Sequence, residues 1–268
     1  MMGLKEFHEK GENEMKSILC ILLAIVMTVL LCPCAAAEAA ETDEADREEA
    51  TLLTPRELLG LEAEPSPAWA VAVAEQTGAE QVFIIAAHEK TTAWVSMHEK
   101  DEDGEWRMIL STPGYIGKNG LGKEREGDGK TPVGVFCFNR AFGIAEDPGC
   151  AIPYVQADEN TYWSGDQRRG MHYNELVSLE DCPRLNKADS EHIADYVYEY
   201  QYCLNISYND AGTPGAGSAI FLHCLGSRKP YTGGCVAIPM EQMLFVMQHV
   251  SPDCAVVIDS LENLGGSF

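Results

Sequence analysis

From Pro65 onward, short apolar runs separated by glycine-rich polar turns dominate the chain, a pattern that predicts strands rather than long helices. Gln81–Ala87 (QVFIIAA) and Thr91–His98 (TTAWVSMH) are rich in β-branched and aromatic residues. Asp103-Gly104 ahead of Trp106–Leu110 is a hairpin signal of the kind that needs positive φ. Three consecutive strands are expected there. Val133–Phe138, Cys203–Tyr208, Ala219–His223 and Ala255–Ile258 add four more, so the expected fold class is mainly β (α+β) with non-local pairing. Two helices are expected to interrupt it. Ser190 can cap one that carries Ile193, Tyr196, Val197 and Tyr200 on one face; Pro239 can open another with Met240, Met243, Leu244 and Met247. Both stripes read as core faces.

Upstream of Pro65 the pattern changes. Ser17–Leu31 (SILCILLAIVMTVLL) is free of charge, follows Lys16, and precedes Cys-Pro-Cys and then Ala35-Ala36-Ala37, the small residues of a cleavage site. Residues 1–37 therefore read as a signal peptide or, uncleaved, as a membrane anchor, with Met15 as a natural start and residues 1–14 as an extension. Leu31 before Cys32 and Pro33 before Cys34 argue against a lipoprotein site. Residues 38–65, mostly Ala, Glu, Asp and Thr with a possible short helix at Pro55–Leu61, read as an acidic flexible linker. Residues 66–262 form the expected domain and 263–268 a tail. No repeat suggests a solenoid.

Composition narrows the partners. Lys+Arg number 19 against 42 Asp+Glu, a formal net charge of −23 that repels phosphate backbones and anionic lipid heads, so no nucleic acid is expected and membrane contact only through the N-terminal segment. Hydrophobic residues make up 46%, enough for a core in what is expected to be a monomer. Of 10 cysteines, those at 20, 32 and 34 leave with the signal segment, and the seven remaining fit either three bridges plus one reactive thiol or several buried thiols packing as small hydrophobes. Asp158, Glu159 and Asp166 lack His-x-x-His or Cys-x-x-Cys partners, so neither metal nor cofactor is expected.

The stretch with most chemical content is Ser218–Ile238, SAIFLHCLGSRKPYTGGCVAI. An apolar strand ends at His223, a polar loop follows, and the chain returns through Thr232-Gly233-Gly234 to Cys235, a hairpin-like path that would set an imidazole beside a thiol. An ordinary thiol, with a pKa near ~8.5, is only a few per cent thiolate at neutral pH, and a neighbouring imidazole takes its proton or stabilises the anion. Gly233 and Gly234 would let backbone N–H groups approach a tetrahedral intermediate. On spacing alone, a His and a Cys so placed are unremarkable in a chain with 7 His and 10 Cys.

The segment resembles the signature of the L,D-transpeptidase catalytic domain, the YkuD-type fold, in which a histidine precedes a Ser/Thr-x-Gly-Cys sequence. The matching residues are His223, then Thr232, Gly233, Gly234 and Cys235. Upstream, Gly127-Asp128-Gly129-Lys130-Thr131-Pro132-Val133-Gly134-Val135-Phe136 is similar to the family's G-x-T-P-x-G-x-F strand entry. The resemblance runs from about Ala68 to Ser260, and Trp163, Tyr173-Asn174 and Ser218-Ala219-Ile220-Phe221 look like the branch found in secreted bacterial proteins. It implies a β-sandwich with a few short helices, no cofactor, and an exported enzyme of the cell envelope acting on peptidoglycan stem peptides. Cys235 would be the nucleophile and His223 the base. Gly234 and Cys235 amides would hold the oxyanion, supported by Gly233, Thr232 and the carbonyl of Cys224. The products would be 3-3 cross-links or, with water as acceptor, trimmed peptides, as in an L,D-carboxypeptidase; a non-catalytic wall-binding module on the same fold is the alternative. Trp163, His172, Tyr173 and Asn174 are candidate substrate contacts, although a satisfied surface histidine is the favoured reading of His172 because nothing in the sequence fixes its neighbours.

This chain departs from the family at three places. Gly233 stands where His is frequent, Ala237 where Arg or Asn is frequent, and Cys224 beside His223 could bridge to another cysteine or to Cys235 itself. Rival families fit less well. NlpC/P60 peptidases place Cys before His, and sortases place an Arg after Cys, whereas no Arg follows Arg228 here.

Overall fold

A computed structural model describes residues 63–226 and 229–267. The described residues all belong to one compact unit. The expected signal segment, most of the linker and the short helix at 55–61 lie outside the described residues.

The expected hairpins form. Strand β1 (Glu64–Pro65) and helix α1 (Ala68–Thr77) precede an antiparallel run of β2 (Gln81–Ala87), β3 (Thr92–Lys100) and β4 (Trp106–Tyr115). Gly104 takes φ 81° between β3 and β4, the backbone conformation the Asp-Gly signal demanded. Then come β5 (Gly134–Gly143), β6 (Tyr154–Gln156), β7 (Thr161–Trp163), β8 (Leu176–Ser178) and β9 (Glu191–His192). β10 (Cys203–Ile206), β11 (Phe221–Cys224), β12 (Val236–Ile238), α2 (Met240–His249) and β13 (Ala255–Ser260) complete the order. The molecule is mainly β, as the sequence indicates.

The large sheet runs β1-β4-β12-β11-β10-β5-β13-β2-β3, and β3 pairs back onto β4, so the sheet closes on itself around one core, as the expected sandwich requires. Alternation assigns the faces. Phe83, Ile85, Val95, Met97, Leu204 and Leu222 point inward, where α2 adds Met243, Val246 and Met247. The opposite face of β2, Val82, Ile84 and Ala86, is covered by Ala70, Val73 and Ala74 of α1, which is why β2 is buried along its whole length. On the outside of β10 and β11, Phe142, Trp163, Tyr200, Cys203, Phe221 and Cys235 form a separate cluster. The candidate residues Cys235 and His223 belong to that outer face.

Two expectations are corrected. The segment from Ser190 is not an α-helix. Ser190 is extended (φ −121°, ψ 153°), Glu191–His192 pair with β7, and only 3-10 turns at Lys187–Asp189 and Ile193–Asp195 flank them. Ile193 and Tyr200 are buried, but Tyr196 and Val197 are 36% and 52% exposed, so the stripe is not one core face. β-branched and aromatic residues give the segment little helical preference, and strand pairing wins. The loop after His223 is not a hairpin either, because β11 and β12 run parallel, Leu222 opposite Val236 and His223 opposite Ala237. A parallel pair needs a long crossover, which residues 225–235 supply.

Candidate active site

Parallel registry sets the site. With Val236 opposite Leu222, Cys235 falls alongside Phe221, whose N–H donates to the Cys235 Sγ at 3.4 Å. His223 lies two residues further along β11 on the same face as Phe221, roughly 7 Å away along the strand by β geometry. Both His223 and Cys235 are 7% exposed, and both open on one cavity of about 650 Å³.

Each group has defined partners. His223 Nδ1 lies 2.8 Å from the Cys224 carbonyl, which can only accept, so Nδ1 carries the proton and Nε2 holds the free lone pair. The Tyr200 ring packs edge-on against the imidazole at 5.5 Å. The Cys235 thiol donates to the Ala219 carbonyl at 3.2 Å. Burial, with the nearby Glu191 charge second, pushes the Cys235 thiol up to about 12, and burial also lowers the pKa of His223. Burial thus disfavours the charged form of both groups.

The glycine turn is held from beneath. Thr131 Oγ1 accepts the Gly117 N–H at 2.9 Å and donates to the Gly234 carbonyl at 2.8 Å. Thr232 Oγ1 accepts the Gly234 N–H at 3.1 Å and donates to the Cys235 carbonyl at 2.6 Å. The Gly234 amide is thus already committed, which counts against its expected oxyanion role. The Cys235 N–H lies against its own sulfur, a contact that lowers the thiol pKa and partly offsets burial. Gly234, at φ 150°, sits where a Cβ would come within 2.8 Å of the Lys130 carbonyl, whereas a Cβ on Gly233 would meet nothing within 4 Å.

The family scan matches the L,D-transpeptidase catalytic domain (YkuD) over residues 81–258. The chain belongs to that family. No curated protein matches it. Among solved structures it is similar to the helical cell shape determining protein Pgp2 from Campylobacter jejuni, at 18% identity and TM-score 0.37, covering 72% of this chain and 54% of that one. It is also similar to an L,D-transpeptidase from Mycobacterium smegmatis (14% identity, TM-score 0.32, 68% of this chain and 59% of that one). A third is an Ldtfm-avibactam carbamoyl enzyme (14% identity, TM-score 0.31, 68% and 49%). The match spans about half the length of these proteins.

The other residues singled out from the sequence fall differently within this L,D-transpeptidase domain. Trp163 borders the cavity but is 2% exposed, stacked on Phe142 at 5.7 Å and edge-on to Phe221 at 4.7 Å. Tyr173 is buried and donates to Glu126 Oε2 at 2.5 Å. Asn174 spends its amide on protein partners, and exposed His172 pairs with Glu175 at 3.2 Å; neither borders the cavity, nor does Tyr173. Asp166, also weighed as a metal ligand, holds Arg168 at 2.6 Å and accepts the Asn186 N–H, which keeps its carboxyl well below the usual range. All seven cysteines among the described residues are free, which matches the packed-thiol alternative and not the three bridges. Cys224 faces the inner core, on the opposite side of β11 from His223, so it cannot bridge Cys235 without rearranging the strand.

Several residues at the site escaped sequence reasoning. Glu191 lines the cavity and accepts from the buried Tyr200 hydroxyl at 2.5 Å; burial raises its pKa. Ala219 adopts φ 55° directly beneath the thiol. Thr131 belonged to a recognised motif, yet its contact with Gly234 spans the fold and carries no local signal.

Proposed function

We propose that this chain is an exported peptidoglycan L,D-transpeptidase of the cell envelope, working as a monomer with residues 66–262 as its catalytic domain. One observation carries the reading: a thiol and an imidazole share one face of adjacent strands and one cavity, the imidazole tethered at Nδ1 so that Nε2 is the basic nitrogen. Because burial disfavours the charged form of both groups, His223 acts as a general base rather than as half of a preformed ion pair. The thiol turns from Ala219 toward His223, Nε2 takes its proton, and sulfur attacks the carbonyl carbon before the terminal D-alanine of a stem tetrapeptide.

The negative oxygen of the tetrahedral intermediate is held by the Cys235 N–H, the backbone donor that lies beside the attacking sulfur. The imidazolium then gives its proton to the departing D-alanine nitrogen and a thioester remains. An amine of a neighbouring stem peptide attacks next, its proton passing to Nε2 and on to the leaving sulfur, which yields a 3-3 cross-link and restores the thiol. Water in place of the amine yields a trimmed tripeptide.

The experiment has two arms. Intact-mass analysis after treatment with a carbapenem is expected to show a single adduct, mapped to Cys235 and absent in Cys235→Ala; a thiol alkylator also meets the free, exposed Cys137, so alkylation is read at Cys235 by peptide mapping. Incubation with a disaccharide tetrapeptide is expected to give cross-linked dimer; tripeptide alone makes the enzyme a carboxypeptidase, and no turnover with no adduct removes the catalytic reading.

A further inference from the structure

We propose that Asn174 is a positioning residue for the Cys235 thiol, acting through the peptide of Ala219; the inference rests on Cys235 being the nucleophile. Asn174 borders no part of the cavity, yet its side chain uses its full hydrogen-bonding capacity close to it. Oδ1 accepts from Trp163 Nε1 at 3.0 Å and from the Ala219 N–H at 3.0 Å, while Nδ2 donates to the carbonyls of Tyr208 at 3.1 Å and Asn209 at 3.0 Å. Four bonds of this kind fix the amide plane completely.

What it fixes is unusual backbone. Ala219 sits at φ 55°, a region that a residue with a β-carbon and no polar side chain enters only when its surroundings impose it. The bond from the Ala219 N–H to Asn174 is one such constraint. In that conformation the Ala219 carbonyl accepts the Cys235 S–H at 3.2 Å, which sets the direction of the proton that His223 must remove. Asn174 is itself at φ 64°, which asparagine tolerates better than most residues. The tethers therefore run from the 208–209 turn through Asn174 and Ala219 to the sulfur.

A purely structural asparagine would hold the turn and leave the thiol's chemistry alone. The test uses the full chain and Asn174→Gly, which accepts the same φ but has no amide. Once Ala219 is free, the neutral thiol loses a hydrogen-bond acceptor, so the midpoint of the pH profile for Cys235 alkylation is expected to fall. For the tetrapeptide, kcat is expected to drop by about tenfold or more with KM changed less than about threefold, the signature of lost alignment rather than lost binding.

Ala219→Gly, which leaves Asn174 in place and only loosens the peptide, is expected to shift the same midpoint in the same direction by less. A folded Asn174→Gly protein with the parent's midpoint and kcat overturns the proposal. If that variant does not fold, an unshifted midpoint in Ala219→Gly overturns it instead. Absence of Cys235 alkylation in the parent protein removes the nucleophile itself, a failure distinct from either.

Discussion

Replacing Thr131 with valine tests whether the loop before β5 supports the nucleophile turn. Valine has the same shape and Thr131 is 0% exposed, so packing is preserved and only the hydroxyl is lost. That hydroxyl makes two buried bonds, from the Gly117 N–H at 2.9 Å and to the Gly234 carbonyl at 2.8 Å. Each is worth about 1 kcal/mol net, and stranding a buried partner adds about 1–3 kcal/mol when no water reaches it, so the loss is expected to be about 2–5 kcal/mol. The Thr131 backbone bonds to Gly120 and Gly122 are untouched, which keeps the loop itself in place. Thr131→Ser removes only a methyl group and is expected to cost about 1 kcal/mol. Urea denaturation at constant m measures both. The Cys235 alkylation rate is expected to fall in Thr131→Val and not in Thr131→Ser. A Thr131→Val protein within about 0.5 kcal/mol of the parent would refute the coupling of the two loops.

The remaining expectations concern other parts of the molecule. Gly234→Ala places a Cβ 2.8 Å from the Lys130 carbonyl at φ 150° and is expected to destabilise by about 2 kcal/mol, while Gly233→Ala, with open space around it, stays within about 0.5 kcal/mol; denaturant midpoints decide between them. His98, 1% exposed between Ser66 Oγ and Ser96 Oγ at 2.8 Å each, is lowered by burial from 6.5 to about 4. The unfolded chain then binds the extra proton first, so this contribution is complete above about pH 6.5 and is lost as pH falls toward 4, by an amount on the order of 3 kcal/mol. A His98→Gln variant showing the parent's full stability loss between pH 7 and 4 would contradict it. Trp163→Phe keeps the ring stack on Phe142 but drops the 3.0 Å bond to Asn174, and is expected to cost about 1–2 kcal/mol by thermal unfolding.

Local pattern carried much of the fold. β-branched runs located β2, β3, β4, β5, β10, β11 and β13 because a half-buried strand writes its period directly into the chain, and Asp103-Gly104 marked its turn because only certain residues tolerate that backbone. Helix α1 was also legible, with Pro67 before it, Gly78 at φ 72° after it, and Ala70, Val73 and Ala74 at helical spacing, though it went unread. The Ser190 segment failed for a different reason. Its apolar spacing suited a helix, but the partner that turned Glu191–His192 into a strand is β7, and pairing with a distant segment is invisible to a local window.

The same division runs through the site. His223 and Cys235 were nameable from residue type and motif, since proton transfer from a thiol needs a base of that kind nearby. Their shared face depends on β11 and β12 being parallel, and the pKa directions of both groups depend on burial, neither of which spacing encodes. Sequence by itself named the candidate thiol and imidazole and determined that a β scaffold holds them. Only the tertiary structure decided that Thr131 bonds the Gly234 carbonyl, that Asn174 and the Cys235 thiol both bond the backbone of Ala219, and that Cys224 turns away, because hydrogen bonds between distant segments and the facing of a strand are set when the sheet closes.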